Sequence, residues 1–282
     1  MKQRVISALI GLLVLGAIFA LINTRVLNIV IAAVSVMALF EMLRAAGCLE
    51  NRWLAGLSFF MAAVIPLSGI SGVRHGTLPL VLFLFFVAFC VLLVKNSQTV
   101  KVGQVSMMLL FSLFVPLFFS CAVFMRDLYG PVTGSFYLLF ALGCAWLCDT
   151  FSYFAGRKFG KRKLAPVVSP KKTVEGLIGG LLGSAVSMTL IAFLFALSVD
   201  AFVDDVEMNY LAILLLTPVC TMFGVLGDLS ASVIKRQFKI KDFGDIMPGH
   251  GGVMDRFDSV LFTLPATFFI AQYGPGLFAY WT

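Results

Sequence analysis

Charged residues are scarce in this chain of 282 residues. They make up 12% of the sequence, whereas soluble domains contain roughly a quarter, so a soluble globular fold is excluded. The connections between the apolar segments are also too short to form a separate soluble domain. A nucleic-acid-binding role has little support, because there is no soluble domain to present a basic groove.

Cysteine and histidine are also few. The six cysteines form no C-x-x-C pair, and Cys144 and Cys148 lie four residues apart in one apolar segment. We interpret these two as small fillers of a helix interface rather than as metal or redox groups. No Ser–His or Cys–His pair is evident, so the sequence does not indicate nucleophilic catalysis by a side chain.

Long apolar segments dominate the rest of the sequence. Hydrophobic residues make up 60% of the chain, and a spanning helix needs about 20 mostly apolar residues in succession. We predict an all-α, polytopic transmembrane helical bundle of about nine spans. The first apolar segment is too long for a signal peptide and no cleavage site follows it. The segments lie near residues 5–22, 27–46, 53–72, 77–94, 105–125, 134–155, 176–199, 209–227 and 258–280.

The positions of lysine and arginine predict the orientation of the bundle. With nine spans, 18 of the 21 lysines and arginines fall on the side of the N-terminus. Because such residues concentrate on the cytoplasmic side of a membrane, we expect the N-terminus in the cytoplasm. The long polar connections 156–175 and 228–257 would then face the cytoplasm and meet anionic lipid headgroups and anionic soluble substrates.

Polar chemistry is concentrated in the second half of the chain. We therefore predict an N-terminal scaffold bundle, residues 1–133, and a catalytic core, residues 134–282, with the two polar connections as its cytoplasmic loops. In the first half, Glu41 and Arg44 lie three residues apart near the inner end of the second span. We interpret them as a local ion pair without a functional role.

Asp149 lies within the sixth apolar segment, where a carboxylate costs roughly 2.5–3.5 kcal/mol on insertion scales. It needs a partner or a water-filled cavity. Helical spacing places Ser152 and Tyr153 on the same face, which favours a functional site. The alternative is an interfacial carboxylate that pairs with Arg157 or Lys158.

The connection 156–175 contains seven cations and one acidic residue. We predict that Ser169 caps the next helix and that Pro170 is its first residue. Lys171 and Lys172 would then form an anion site at a helix N-terminus. The alternative for this basic run is simple anchoring at the membrane surface.

A row of glycines follows this connection and predicts close helix packing. Overlapping G-x-x-x-G pairs let two helix backbones approach each other. The contact is expected either within the chain or between subunits. The glycines are Gly176, Gly179, Gly180 and Gly183.

Residues 228–258 form a polar island between the last two apolar segments. Asp228 ends one span, and Asp255 and Asp258 begin the next, where a spacing of three residues would place them on one helix face. Carboxylates without a Cys or His cluster suit Mg²⁺. Lys235 and Arg236 would neutralise charge that grows on phosphoryl oxygens. The alternative is a solvated interfacial loop with ordinary salt bridges.

The island resembles the signature of the phosphatidate cytidylyltransferase, or CDP-diacylglycerol synthase, family of bacteria. That signature is Ser-x-aliphatic-Lys-Arg, four residues, Lys-Asp, a Pro-x-His-Gly-Gly turn and Asp-Arg-x-Asp. Met247 departs from it, since Leu, Ile or Phe is expected there. The resemblance extends over residues 146–258 and includes the segments around Asp149, 163–173 and Gly227-Asp228. The matching residues are Ser232, Ile234, Lys235, Arg236, Lys241, Asp242, Gly244, Pro248, His250, Gly251, Gly252, Asp255, Arg256 and Asp258.

The resemblance implies a Mg²⁺-dependent reaction of CTP with phosphatidate that yields CDP-diacylglycerol and pyrophosphate. It also implies a homodimer in the bacterial inner membrane, surrounded by membrane lipids, with its active site facing the cytoplasm. In the combined hypothesis Asp228 and Asp255 bind the metal. The expected catalytic residues are Lys235, Arg236, Asp258 and Asp149. The expected substrate-binding residues are Ser169, Lys171, Lys172, Ser232, Lys241, Asp242, His250, Gly251, Gly252 and Arg256.

Two other interpretations stay open at this point. One is another Mg²⁺-dependent membrane nucleotidyl- or phosphoglycosyl-transferase, which the choice of nucleotide would distinguish. The other is a transporter of an anionic substrate with Asp149 in its pathway. A transporter would need interrupted helices near the midplane in matching halves, whereas the polar residues here collect at one face.

Overall fold

The computed structural model describes residues 15–98, 101–200, 206–246, 251–274 and 279–281. Within these residues the fold is helical apart from two short two-stranded ribbons. Six of the described helices are long and apolar enough to cross a membrane. The predicted all-α, polytopic membrane class is confirmed. The number of spans stays a prediction, and most of the first predicted span, 5–22, lies outside the described residues.

The helices follow one another with short connections. Numbered in chain order, they are α1 (Val26–Ala45), α2 (Arg52–Arg74), α3 (Thr77–Lys95), α4 (Val102–Phe159), α5 (Val174–Asp200), α6 (Tyr210–Gln237), α7 (Met254–Phe257) and α8 (Val260–Tyr273). The strands are β1 (Lys163–Ala165), β2 (Ser169–Thr173), β3 (Val206–Met208) and β4 (Ala279–Trp281). β1 pairs antiparallel with β2, and β3 pairs antiparallel with β4.

Two of the long helices are interrupted at a glycine. α2 is interrupted at Gly69, with a φ of 56°, and α4 at Gly130, with a φ of 79°. Glycine adopts such positive φ angles without steric cost. Pro131 follows directly, and it has no amide hydrogen with which to continue the helix. The 58 residues of α4 therefore supply two helical segments, which accommodate the predicted spans 105–125 and 134–155.

The chain divides into two compact units. The first comprises Met1–Pro131 and Gln237–Phe257, and the second comprises Val132–Arg236 and Asp258–Thr282. The polar connection that follows α6 thus belongs to the same unit as the N-terminal helices. The predicted functional division into scaffold, 1–133, and catalytic core, 134–282, stays a prediction.

In the first unit, buried hydrogen bonds compensate for the interruption of α2. Asp127 Oδ2 accepts a hydrogen bond from the Ile70 amide at 3.0 Å, and Asn28 Nδ2 donates to the Pro66 carbonyl at 2.9 Å. Arg126 pairs with Asp127 and donates to Asn28. Backbone groups that a break frees inside a membrane need partners of this kind, because lipid offers none.

In the second unit, the predicted glycine row brings α5 against the end of α4. A Cβ atom on Gly176 would lie 2.9 Å from the Ser152 carbonyl oxygen. A Cβ atom on Gly179 would overlap Ala155, and one on Gly180 would overlap the Ser152 hydroxyl. The G-x-x-x-G spacing is therefore used for a helix contact within the chain. This contact sets the last turns of α4 beside the start of α5.

Candidate active site

A pocket of about 330 Å³ lies in the second unit, beside the last turns of α4, strand β2 and the first turn of α5. Its lining combines one carboxylate and several cations with apolar side chains. Such a mixture suits a ligand that has both anionic and apolar parts. The lining includes Asp149, Ser152, Arg157, Leu164, Lys171, Lys172, Leu177 and Val225.

Lys172 is a partly buried cation of this pocket. Its ammonium group forms an ion pair with Asp228 Oδ2, and the two side chains are 29% and 19% exposed. Burial lowers the pKa of Lys172, while the negative charges of Asp149 and Asp258 act in the opposite direction. The lysine thus lies among carboxylates from α4, from α6 and from the residues just before α8. The structure brings these four predicted site residues together.

The start of α5 differs from the sequence prediction. Ser169 and Pro170 belong to strand β2, and α5 begins at Val174, so the predicted Ser-Pro helix cap is wrong. The Thr173 hydroxyl instead accepts a hydrogen bond from the Gly176 amide at 3.1 Å, as an N-cap side chain does. Proline also fits an edge strand, where its missing amide hydrogen has no cost, and both strands of a two-stranded ribbon are edges.

Glu175, the single acidic residue of the connection 156–175, binds the backbone just before strand β1. Glu175 accepts hydrogen bonds from the backbone amides of Lys161 at 2.9 Å and of Arg162 at 3.1 Å. From α6, Arg236 Nε donates to the Val168 carbonyl at 3.5 Å. These bonds hold strand β2, and with it Lys171 and Lys172, in place. The lone acid among seven cations was the available sequence signal for this role.

Lys235 and Asp258 form a second, more buried pair. Lys235 Nζ lies 3.8 Å from Asp258 Oδ2, and the two side chains are 12% and 10% exposed. Asp258 Oδ1 also accepts a hydrogen bond from the Ser259 amide at 2.8 Å. A Cβ atom on Gly227 would lie 2.5 Å from the Asp258 carbonyl oxygen. The turn of α6 that includes Asp228 therefore packs directly against residue 258.

Asp255 organises the loop that precedes it in the first unit. Its Oδ2 atom accepts hydrogen bonds from the amides of Phe243 at 2.8 Å and Gly252 at 3.1 Å. The prediction that Asp255 and Asp258 share one helix face is wrong, because α7 ends at Phe257 and α8 begins at Val260. The role of Asp255 as a partner of Asp228 on one metal ion stays a prediction.

The remaining predicted residues are more dispersed. Ser232 is buried on α6, one turn before Arg236. Lys241, Asp242 and Arg256 are exposed in the first unit. His250 lies outside the described residues, and Gly251 has a φ of 83°. Their predicted contacts with substrate stay predictions.

Glu41 is the residue of this region whose role the sequence interpretation missed. Its side chain is fully buried, and its two oxygens accept hydrogen bonds from the amides of Val253 at 2.9 Å and Met254 at 2.8 Å. Arg44 instead donates to the Phe243 carbonyl at 3.1 Å and lies 4.0 Å from Asp245. The interpretation of Glu41 and Arg44 as a local pair is therefore wrong. An acid in an otherwise apolar segment was the available signal.

Known proteins resemble this chain, one of them over nearly its whole length. The model of the cytidylyltransferase family matches residues 2–273. The chain belongs to this family. A phosphatidate cytidylyltransferase of Bacillus subtilis (strain 168) is 33% identical over 279 residues, which cover 96% of this chain and 97% of that protein. Another, from Staphylococcus epidermidis (strain ATCC 35984), is 51% identical over 129 residues, 46% of each chain. A third, from Staphylococcus haemolyticus, is 48% identical over 132 residues, 47% of each chain.

The magnesium ion predicted for this cytidylyltransferase stays a prediction, and the carboxylates near the pocket are of the kind that Mg²⁺ uses. In the described parts of the chain, no three His, Cys, Asp or Glu side chains form a group that could hold a metal by themselves. Mg²⁺ needs no such group, because one or two carboxylates, several waters and substrate phosphates complete its shell. Asp228, the ion-pair partner of Lys172, offers one such carboxylate.

Proposed function

We propose that this cytidylyltransferase joins CTP and phosphatidate to form CDP-diacylglycerol and pyrophosphate. The observation that supports it most is the pocket lined by Lys172, further cations and apolar side chains, with Lys172 paired to Asp228. A lipid phosphate has an anionic part and an apolar part, so its binding site needs both cations and apolar side chains. The relatives that match the chain are named for this reaction.

The proposed chemistry needs no nucleophilic side chain. A phosphate monoester has a second pKa of about 6, so an oxygen of phosphatidate is already a nucleophile near neutral pH. It attacks the α-phosphorus of CTP and forms a new P–O bond. The bond from the α-phosphorus to the bridging oxygen breaks, and that oxygen leaves with pyrophosphate. This agrees with a sequence in which no Ser–His or Cys–His pair is evident.

The contribution of the protein is to hold the phosphates and to balance their charge. Lys172, with Lys171 and Arg157 nearby in the pocket, is proposed to bind phosphate oxygens. An entering phosphate would replace Asp228 as the partner of Lys172. That exchange leaves the Asp228 carboxylate available as an oxygen ligand. Lys235, Arg236, Asp149 and Asp258 are proposed as the neighbouring catalytic groups.

We propose Mg²⁺ as the cofactor, on the strength of the sequence pattern and the oxygen-rich ligand set. Asp228 and Asp255 are its proposed ligands, and the backbone of Asp258 lies against Gly227, the residue before Asp228. When bound, Mg²⁺ would neutralise developing charge on the transferring phosphates. Lys172 pairs with Asp228, and Lys235 pairs with Asp258. The amides of Phe243 and Gly252 orient the carboxylate of Asp255.

The chain is a membrane protein, and we propose the bacterial inner membrane as its location. The excess of lysine and arginine on one predicted side supports a cytoplasmic position for both polar connections. CTP would then reach the site from the cytoplasm, and phosphatidate would reach it from the bilayer. A homodimer is also proposed, from the resemblance alone.

The test is a direct assay of the purified protein in detergent micelles. Labelled CTP, phosphatidate and Mg²⁺ are expected to yield a labelled CDP-lipid and an equal amount of pyrophosphate. UTP or ATP in place of CTP, and a polyprenyl phosphate in place of phosphatidate, test the other transferase interpretation. Product formed only with those substitutes would overturn the proposal. Substrate flux into vesicles without any product would instead indicate a transporter.

A further inference from the structure

A buried carboxylate of α1 binds the backbone of a loop more than two hundred residues away. Glu41 is fully buried. Its Oε1 atom accepts a hydrogen bond from the Val253 amide at 2.9 Å and its Oε2 atom one from the Met254 amide at 2.8 Å, across sequence separations of 212 and 213 residues. Both oxygens therefore bind the residues immediately before Asp255.

Two glycines of the same loop make room for this carboxylate. A Cβ atom built on Gly244 or on Gly252 would overlap the carboxylate of Glu41, and the three nearest atoms at both positions belong to Glu41. Neither glycine has a positive φ, so backbone conformation does not require glycine there. The space that Glu41 occupies is the physical reason for glycine at these positions. For Gly252, this is a different reason from the predicted approach of an anion.

Glu41 and Asp255 both bind backbone amides of the same loop. Asp255 accepts hydrogen bonds from the amides of Phe243 and Gly252. Glu41 accepts hydrogen bonds from the next two amides, those of Val253 and Met254. Four backbone amides therefore bind to two carboxylates within the first unit. Since the Glu41 bonds fix the backbone at residues 253 and 254, they also restrict where the side chain of the following residue, Asp255, points.

We propose that Glu41 is a positioning residue of the cytidylyltransferase reaction, which acts through the backbone of residues 252–254 on the orientation of Asp255. The part of this proposal that concerns metal binding rests on the proposed role of Asp255 as a Mg²⁺ ligand. The competing explanation is that Glu41 only anchors α1. An anchoring role would affect folding but not the kinetic constants of the folded protein.

The first test is Glu41→Gln in the full-length protein. Glutamine keeps the shape but replaces one acceptor oxygen with a donor, so one of the two loop amides loses its partner. We expect kcat to fall by about 10- to 100-fold, the usual effect of removing a group that orients a metal ligand. The Mg²⁺ concentration for half-maximal activity should rise by about the same factor, while the KM for CTP changes less than about threefold.

The matched control is Glu50→Gln, the same change at an exposed carboxylate just beyond α1. It should leave all three constants unchanged. A control effect as large as that of Glu41→Gln would overturn the proposal, because it would indicate a general effect of charge. The unfolding midpoint of each variant is measured first, and activities are compared well below it.

A second readout is independent of activity. Amide hydrogen exchange of the peptide 251–257, followed by mass spectrometry, should be faster in Glu41→Gln and unchanged in Glu50→Gln. Unchanged exchange in Glu41→Gln would overturn the proposal. Faster exchange and a lower kcat with an unaltered Mg²⁺ dependence would support the positioning role. That result would also overturn the proposed role of Asp255 as a metal ligand.

A double-mutant cycle tests the packing directly. Gly244→Ala should lower kcat by about tenfold, because the new methyl group displaces the Glu41 carboxylate, and residues in contact show coupled effects. In a Glu41→Ala background the same change should alter kcat by less than about twofold. Independent losses that multiply in the double mutant would overturn the proposal. If Glu41→Gln does not fold, Gly244→Ala gives the same kinetic and exchange tests, because it acts on the same carboxylate from the loop side.

Discussion

Replacing Lys172 with methionine separates two roles of this residue, in stability and in substrate binding. The change removes the charge but keeps most of the length of the side chain. It leaves the Asp228 carboxylate, which is only 19% exposed, without its ion-pair partner. A partly buried charged group that loses its partner costs about 1–3 kcal/mol, so the protein should be less stable by that amount. Thermal unfolding in detergent measures it.

The same substitution should weaken substrate binding in the transition state. A hydrogen bond to a charged group contributes about 1.5–3 kcal/mol, which corresponds to roughly a 10- to 150-fold loss in kcat/KM for CTP. Lys163→Met is the matched control, because Lys163 lies exposed on the neighbouring strand β1. It should change kcat/KM by less than about twofold if its side chain only meets solvent.

The double variant Lys172→Met with Asp228→Asn tests whether the two side chains form an ion pair. Once neither partner is charged, the stability loss should largely disappear, because residue 228 no longer carries an unpaired charge. Activity should stay low, since neither the phosphate-binding cation nor the carboxylate is restored. A double variant whose stability loss equals the sum of the single losses would refute the ion pair. Equal effects of Lys172→Met and Lys163→Met on kcat/KM would favour mere anchoring of the ribbon.

Three further predictions follow from the site and the orientation. Asp228→Asn and Asp255→Asn should each retain less than about a tenth of wild-type turnover at any Mg²⁺ concentration, since a metal clamp contributes several kcal/mol, and a radiolabel assay measures this. Cysteines introduced by Lys161→Cys and Lys239→Cys should not react with a membrane-impermeant thiol reagent in intact cells, because both loops are expected in the cytoplasm. Thr173→Ala should lower stability by about 1 kcal/mol, the usual effect of losing an N-cap, in the same unfolding measurement.

Each of these predictions has a contradicting result. If either aspartate variant inserts correctly and keeps more than about a tenth of the turnover, that residue is not a metal ligand. Asp245→Asn, at a carboxylate that is 94% exposed, is the control and should be fully active. Ready labelling of either introduced cysteine from outside would reverse the topology and the route of CTP. An unchanged unfolding midpoint in Thr173→Ala would mean that the Gly176 amide is satisfied in another way.

Properties that depend on local composition could be predicted from the amino-acid sequence alone. Membrane insertion responds to about 20 consecutive apolar residues, so the all-α membrane class could be predicted without tertiary contacts. The orientation expected from the positions of lysine and arginine stays a prediction. The family could be recognised because its signature from Ser232 to Asp258 is a fixed spacing along the chain.

Local patterns were less reliable where two local structures fit the same residues. Ser169 and Pro170 suit both a helix start and an edge strand, and pairing with β1 decided for the strand. Asp255 and Asp258 have helical spacing, but the chain leaves the helix between α7 and α8. In both cases the deciding contacts come from residues outside the pattern, which a local spacing rule does not consider.

The pairing of the charged groups depends on the packing of the whole chain and could not be predicted from local patterns. Lys172 pairs with Asp228 and Lys235 with Asp258 because α6 packs beside strand β2 and against residue 258. Glu41 binds amides 212 residues further along the chain, where Gly244 and Gly252 leave space for it. A buried charge needs a partner. The packing of the whole chain determines which partner lies beside it.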